Sequence, residues 1–380
     1  MSLLVPLFRE SGVARQLVAR LARLDYPRGL LEVVLVLEDH DDQTRAALDA
    51  TDLPPWFRVA EVPEGRIRTK PRALNHALGL CRGEIVGIYD AEDAPDRDQL
   101  LRVARAFQRG PPELACIQGI LDYYNARGSW IARCFTIEYA TWFRLLLPGL
   151  ARLRLAIPLG GTTVFLRREA LEELGGWDAH NVTEDADLGI RLARHGYRTE
   201  LIPSVTREEA NDRLWPWVRQ RSRWLKGYMV TYLVHMRNPA LLWRQFGPRR
   251  FLGFQIFFLA ALSQFVMGPL LWTFWLVPAG LPHPLASLFG PAGLMAVGVL
   301  LLAGAATDLC AALLAVRATD HRGLGRWVPS LLFYFPLATL AAYKALWELV
   351  FQPFYWDKTE HGRSHAPEPP EPGTEGGTAP

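Results

Sequence analysis

The chain is poor in the residues that build stapled or metal-centred domains. Its 380 residues hold four cysteines, Cys81, Cys116, Cys134 and Cys310. None stands in a CxxC pair or at a Cys/His spacing. That excludes a zinc module and a disulfide framework, and fits reduced thiols in a cytoplasmic compartment. The opening "MSLLVPLFRE" has no basic stretch and no cleavage site, and is too short for a secretory signal. The formal net charge is only +3, and the arginines are spread along predicted helices rather than run together, so no nucleic-acid partner is expected. The largest absence comes late. From Phe251 to Thr307 there is no Asp, Glu, Lys or Arg. A soluble core does not supply so long an uncharged stretch, and it reads as membrane.

Nearly every charge lies before that stretch, where apolar runs alternate with helical periodicity. "SLLVPLF", "LEVVLVLE" and "EIVGIYD" read as strands; "GVARQLVARLARL", "KPRALNHALGL" and "DRDQLLRVARAFQR" read as helices. Strand and helix in turn predict an α/β domain with a largely parallel sheet. Ligands of such sheets bind beyond the carboxyl ends of the strands. Acidic residues gather there: Glu10 after the first strand, "EDHDD" after the second, and "YDAEDAP" after "EIVGIY". Residues 130–155 are aromatic and apolar yet carry Arg133, Glu138, Arg144 and Arg152. They form either an amphipathic core helix or a helix in a membrane interface. "NDRLWPWVRQRSRWLKGYMV" mixes three tryptophans with cations, a composition suited to a helix on a membrane surface.

Three short stretches carry chemistry, and each has a plain structural alternative. In "YDAEDAP", Asp90, Glu92 and Asp93 offer hard oxygen ligands for Mg²⁺ or Mn²⁺ holding a diphosphate, or form a solvated acidic turn. In "TED", Thr183 is a good N-cap, and Glu184 and Asp185 favour a helix N-terminus. The same acid becomes a general base if it is buried beside an acceptor hydroxyl. In "QRSRW", Gln220, Arg223 and Trp224 share a helix face that would hold a sugar ring or a phosphate, or anchor the helix at an interface.

Taken in order, an acidic cluster after the second strand, a DxE turn, TED, QxxRW and then apolar spans resemble glycosyltransferase family 2, in its membrane-embedded, cellulose-synthase-like branch. The resemblance runs from about Val5 to about Gly362. It implies a GT-A fold, that is, a Rossmann-like nucleotide-diphospho-sugar transferase domain, followed by interface helices and a small α-helical transmembrane region. It implies an inverting, metal-dependent hexosyltransferase using Mg²⁺ or Mn²⁺ and a nucleotide-sugar donor, usually a UDP-sugar. By the same resemblance Pro6 and Glu10 flank the base, Glu38 or Asp39 meets uridine or ribose, and Lys70 lies near the diphosphate. Asp90 matches the first Asp of the DxD motif; the second falls on Glu92, a departure that makes the neighbouring Asp93 a rival metal ligand. Asp185 is the catalytic base. Thr183, Glu184, Gln220, Arg223 and Trp224 belong to the acceptor and diphosphate site, and "PLGGTT" at 158–163 lines the acceptor. The product is a β-linked polysaccharide or glycan; single-sugar transfer to a lipid-linked acceptor is the alternative, and a non-catalytic assembly subunit is the rival of another class.

The expected organisation is a cytoplasmic GT-A domain over residues 1–210, an interface helix region with QxxRW over 211–250, and a transmembrane region over 251–350. Its spans fall at about 251–277 and 290–316. Arg249 and Arg250 before the first, and Arg317, Arg322 and Arg326 after the second, put both flanks in the cytoplasm of a multi-pass inner-membrane protein. Residues 327–350 are apolar but broken by Pro329, Pro336, Lys344 and Glu348; they cross the bilayer or lie in its interface. "FYWDKTEHG" loosely resembles the family's gating loop, which must be cytoplasmic and so favours the interface. The tail from His365 reads as disordered. Two spans make a poor pore, so secretion of a polymer would need a membrane partner or an oligomer. Asp308 inside the second span either faces a polysaccharide path or is hydrated near the cytoplasmic end.

Overall fold

The computed structural model describes residues 1–352, apart from 11, 13, 66 and 278. The gating-loop-like segment and the tail lie outside the described residues. The strands are β1 (Ser2–Leu7), β2 (Glu32–Glu38), β3 (Phe57–Val62), β4 (Ile85–Ile88), β5 (Ala94–Pro95), β6 (Leu114–Tyr123), β7 (Val164–Arg167) and β8 (Arg198–Glu208). They form one sheet in the order β3-β2-β1-β4-β7-β6-β8-β5. Side chains alternate between its faces with period two. Leu3, Val5 and Leu7 enter one apolar layer, while Leu4, Val34 and Val36 enter the other.

The sheet is mixed rather than largely parallel. β3, β2, β1 and β4 run parallel, as expected. β7 runs antiparallel to both β4 and β6. The reason is where the chain re-enters. A turn at residues 160–163 sits at the end of β4, and Thr163 N donates to Ile88 O at 2.8 Å. A strand that starts where its neighbour stops must run back along it.

The chain between β6 and β7 is helical, and its two halves behave differently. Trp130–Thr141 is a core helix, with Ile131, Phe135, Ile137 and Ala140 buried. After a wider π turn at Trp142–Leu146 it continues as Leu147–Arg152, and there Leu145, Leu146 and Leu153 are exposed. The core half packs into a second apolar cluster with helix Leu214–His235 and residues near the C-terminal end of the described chain. The QxxRW helix buries one face and leaves Leu214, Trp215 and Leu233 exposed on another. Trp217 and Lys226 are fully buried, because its apolar positions recur at helical spacing against two neighbours.

The apolar stretch is not two straight spans. Helix Pro239–Val266 is kinked at Gly247, whose φ of 68° precedes Pro248. It then breaks, and the following segment Gly268–Leu276 turns away by 71°. Helix Ala286–Arg317 bends at the same dipeptide, Gly290–Pro291, with φ of 63°. A left-handed φ is open to glycine, and proline cannot donate to the preceding turn, so each pair redirects the helix. Among the described residues, one helix, Ala286–Arg317, is long and apolar enough to cross a membrane; the bent pair counts only if taken as one span. Residues 322–351 form a short 3₁₀ segment and two short helices, of which Leu337–Phe351 packs along the QxxRW helix.

Candidate active site

The site lies at the carboxyl ends of β4 and β8 and reaches into the helical region. The turn after β4 carries Asp90 and Glu92 on the wall of a cavity of about 1600 Å³. Asp93 points the other way. It is fully buried under the turn, where one carboxyl oxygen accepts Asp90 N–H at 2.8 Å and the Thr162 hydroxyl. Its other oxygen is buried without a partner. Burial, then Asp90 and Glu92, push its pKa well above the ordinary value. Asp93 thus braces the turn, and the structure does not bring it onto the cavity wall with Asp90 and Glu92.

Lys70 opens helix Lys70–Leu78, with Thr69 at the N-cap position. Its ammonium donates to Asp90 Oδ1 and to Gly161 O at 2.8 Å. Burial opposes the charge, but Asp90, Glu184 and Asp185 outweigh it and raise the lysine pKa. Lys70 stays cationic beside a helix N-terminus, a combination suited to anionic oxygens.

Glu184 and Asp185 open helix Glu184–Arg194 and line the same cavity. Thr183 sits at the N-cap position but makes no capping bond; its N–H instead donates to Asn181 Oδ1 at 3.0 Å. Asp185 Oδ1 accepts Ala186 N–H at 2.7 Å. A Cβ on Gly161 would stand 3.2 Å from Asp185 Oδ2, so the turn before β7 closes on the carboxylate. Burial, then the neighbouring Asp185, raise the Glu184 pKa to about 7. Burial also raises Asp185, against its Ala186 N–H bond, Lys70 and Arg223.

Gln220, Arg223 and Trp224 line the cavity from the QxxRW helix. Gln220 accepts from Asn211 at 3.0 Å, and the Trp224 ring packs near Phe135 and Tyr139. Arg223 Nε is buried without a partner. Gly227 locks this helix to the TED turn: a Cβ there would stand 2.1 Å from Thr183 Oγ1. Asp187 adds a second link, holding Arg191 at 2.7 Å and His235 at 3.0 Å.

The cavity thus gathers Lys70, Asp90, Glu92, Thr183, Glu184, Asp185, Gln220, Arg223 and Trp224. It does not gather Pro6, Glu10, Glu38 or Asp39, which sit at or just past the ends of β1 and β2. Glu38 pairs there with Arg72 at 3.4 Å, and Asp39 is exposed.

Sequence reasoning did not single out Gln118, Glu208, Arg221 or Tyr334. Gln118, fully buried on β6, accepts Gly160 N–H at 2.8 Å and donates to Thr162 O at 3.1 Å, fixing the turn before β7. Glu208, at the end of β8, lines the cavity with one oxygen buried and unpartnered. Burial, then Asp93, Glu92 and Asp90, push its pKa well above the usual range. It closes β8, a strand the sequence reading did not include, so no local signal pointed to it. Arg221 clamps Glu138 through both guanidinium nitrogens, one at 2.7 Å, and Tyr334 O–H donates to Glu138 at 2.7 Å. A lone acid inside an aromatic helix was the signal for that pair.

A divalent ion fits the wall by its donor chemistry. Mg²⁺ is held by one or two carboxylates plus substrate phosphates, and Asp90 and Glu92 are two carboxylates facing one space. Among the described residues no group of three His, Cys, Asp or Glu side chains is arranged to hold a metal alone.

A mixed sheet with carboxylates, a lysine and a helix N-terminus at its strand ends defines a GT-A-like nucleotide-sugar transferase fold. The match to mannosyltransferase PcManGT from Pyrobaculum calidifontis, solved with GDP-Man and Mn²⁺, covers 91% of this chain and 87% of that one, at TM-score 0.53 and 21% identity. The model of glycosyl transferase family group 2 matches residues 85–343, and the chain belongs to that family. It is 30% identical over 261 residues to the beta-monoglucosyldiacylglycerol synthase of Trichormus variabilis, covering 66% of this chain and 53% of the relative. It is 28% identical over 245 residues to the cellulose synthase catalytic subunit of Xanthomonas axonopodis pv. citri, covering 62% and 32%. The chain spans about half the length of the curated relatives it first matches.

Proposed function

We propose that this family 2 glycosyltransferase is a membrane-bound, inverting enzyme that moves a sugar from a nucleoside-diphosphate sugar, a UDP-sugar first, to an acceptor hydroxyl. The observation that carries the reading is the shared cavity: Asp185 lies across from Lys70 and Asp90, with the Gly161 carbonyl on the Lys70 ammonium between them. Asp185 takes the proton of the acceptor hydroxyl as that oxygen attacks C1 of the sugar. The bond from C1 to the diphosphate breaks in the same displacement, which inverts C1. Lys70, Arg223 and the N-terminus of helix Lys70–Leu78 offset the charge that grows on the leaving diphosphate. Asp90 and Glu92 would hold Mg²⁺ or Mn²⁺, which supplies further positive charge there. Pro6, Glu10, Glu38 and Asp39 form the nucleoside end, beyond the strand ends. Residues 1–210 are the catalytic domain on the cytoplasmic side of the inner membrane, 211–250 carry QxxRW, and 251–350 are the membrane-embedded part. The uncharged stretch and the exposed apolar face of helix Ala286–Arg317 support the membrane reading.

The names of the relatives offer two acceptors, a growing polysaccharide and a diacylglycerol lipid. The test of the core reading is donor turnover. The purified chain, given a panel of UDP-sugars and GDP-mannose, is expected to turn over one of them. EDTA abolishes the turnover and Mn²⁺ restores it. If UDP binds but no donor is turned over, the chain is a non-catalytic relative and the reading fails.

A further inference from the structure

We infer that the acceptor is a neutral amphiphile, a lipid with hydrocarbon chains and an uncharged hydroxyl head; this rests on the transferase reading above. The cavity has two ends of opposite chemistry. At one end stand Lys70, Asp90, Asp185 and Arg223. From there it runs between the helices and is walled by aliphatic and aromatic side chains, among them Leu146, Leu150, Phe265, Val299 and Leu309. Its volume of about 1600 Å³ exceeds the roughly 300–1,000 Å³ of ordinary small-molecule sites.

The apolar arm is open sideways. Met295, Val299 and Leu300 line the cavity and are 68%, 60% and 71% exposed. They lie on the helix that is long and apolar enough to cross a membrane. Trp272 and Trp275 also line it and are half-exposed, as tryptophans at a membrane interface are. A chain of sugars in this arm would leave its hydroxyls without partners, at a cost for each one. Hydrocarbon meets no such cost, and its burial is favourable.

Charge selects the head group. The charged side chains lining the cavity are eight carboxylates and three cations. Of the cations, Arg221 is engaged by Glu138 and Lys70 by Asp90. A donor diphosphate adds more negative charge. A lipid phosphate at the Asp185 side would add a further anion beside the donor diphosphate that Lys70 and Arg223 already face, whereas a neutral hydroxyl meets the Asp185 base without that repulsion.

The space also supplies a perturbation. Gly298 and Gly304 line the apolar arm, and a Cβ at either would meet nothing within 4 Å. A large side chain at either enters open space on the cavity wall formed by helix Ala286–Arg317, where Asp308 also lines the cavity one turn beyond Gly304. The experiment uses the full chain in phosphatidylcholine vesicles with its labelled donor. The vesicles carry a dioleoylglycerol, a polyprenyl phosphate, or neither with a soluble oligosaccharide outside. The expected result is a singly glycosylated, organic-extractable lipid from the diacylglycerol, at least about tenfold above the other two arms, since matching an apolar pocket discriminates on that scale. Gly298→Phe and Gly304→Phe are expected to shift preference from long-chain to short-chain diacylglycerol by about fivefold or more. Because this is a ratio within one preparation, loss of folded protein does not mimic it. Label in the polyprenyl phosphate or in an oligosaccharide overturns the inference but leaves the transferase reading standing. Donor turnover with no lipid product does the same. Absence of any donor turnover overturns both.

Discussion

The sheet region and the helical region bury charge in opposite ways. At the strand ends, carboxylates crowd one another around a cavity, and Asp93, Glu184, Asp185 and Glu208 all have raised pKa values. In the helical region buried charges meet opposite charges at close range: Arg221 with Glu138, and Lys226 with Glu348 at 3.0 Å. The first arrangement costs stability in the free protein and is relieved by a cationic or proton-donating guest. The second fixes how helices pack. Charge held against its own preference marks the proposed site; matched charge marks where the scaffold is held.

Removing one member of a matched pair is the hardest blow to that contrast. Arg221→Met leaves the half-buried Glu138, on the cavity wall, with Tyr334 as its close partner, and is expected to lower stability by about 2–4 kcal/mol in a denaturant titration. Adding Glu138→Leu is expected to return most of that loss. If the double variant is no better than the single one, the pair is not what holds these helices. Gly227→Ala comes next. Its new methyl meets the Thr183 side chain, so a loss of about 1–3 kcal/mol is expected. A fall in kcat should accompany it, because Thr183 precedes the proposed base. The smallest effect is the response to pH. A carboxylate base works only when deprotonated, and the Glu184–Asp185 pair titrates upward, Glu184 to about 7. The rate is therefore expected to fall as pH drops, approaching about tenfold per unit below the pKa of Asp185, which burial holds above the ordinary carboxylate value. Lys70, whose pKa is raised as well, keeps its ammonium charge throughout, because a raised pKa favours the charged form of a cation. A flat profile from pH 5 to 8 would mean that the crowding is relieved by some other means.

The contrast was only half legible in the sequence. Runs such as "LEVVLVLE" announce β2 because the period and the β-branched residues are local. TED and QxxRW were readable as one site only through the resemblance that their order carries, and the structure brings both onto one cavity. What escaped depends on contacts far apart in the chain. β7 runs antiparallel because its entry turn is pinned by Gln118, 42 residues before Gly160. Arg221 and Glu138 are 83 residues apart, so neither announces the other. Asp93 looked as good a ligand as Glu92, since a one-residue step in a turn decides which side chain faces inward. The break in the first span had a local sign, the Gly268–Pro269 pair, which hydropathy averages away.

The most direct test of the central claim is sugar transfer by Asp185→Asn, with nucleotide binding measured on the same sample. Asparagine keeps the size of the side chain and cannot take the proton. The account predicts that transfer falls by about 10²–10⁴-fold while UDP affinity stays within a few-fold. Transfer within a few-fold of the parent protein would contradict it, and would remove Asp185 from the chemistry.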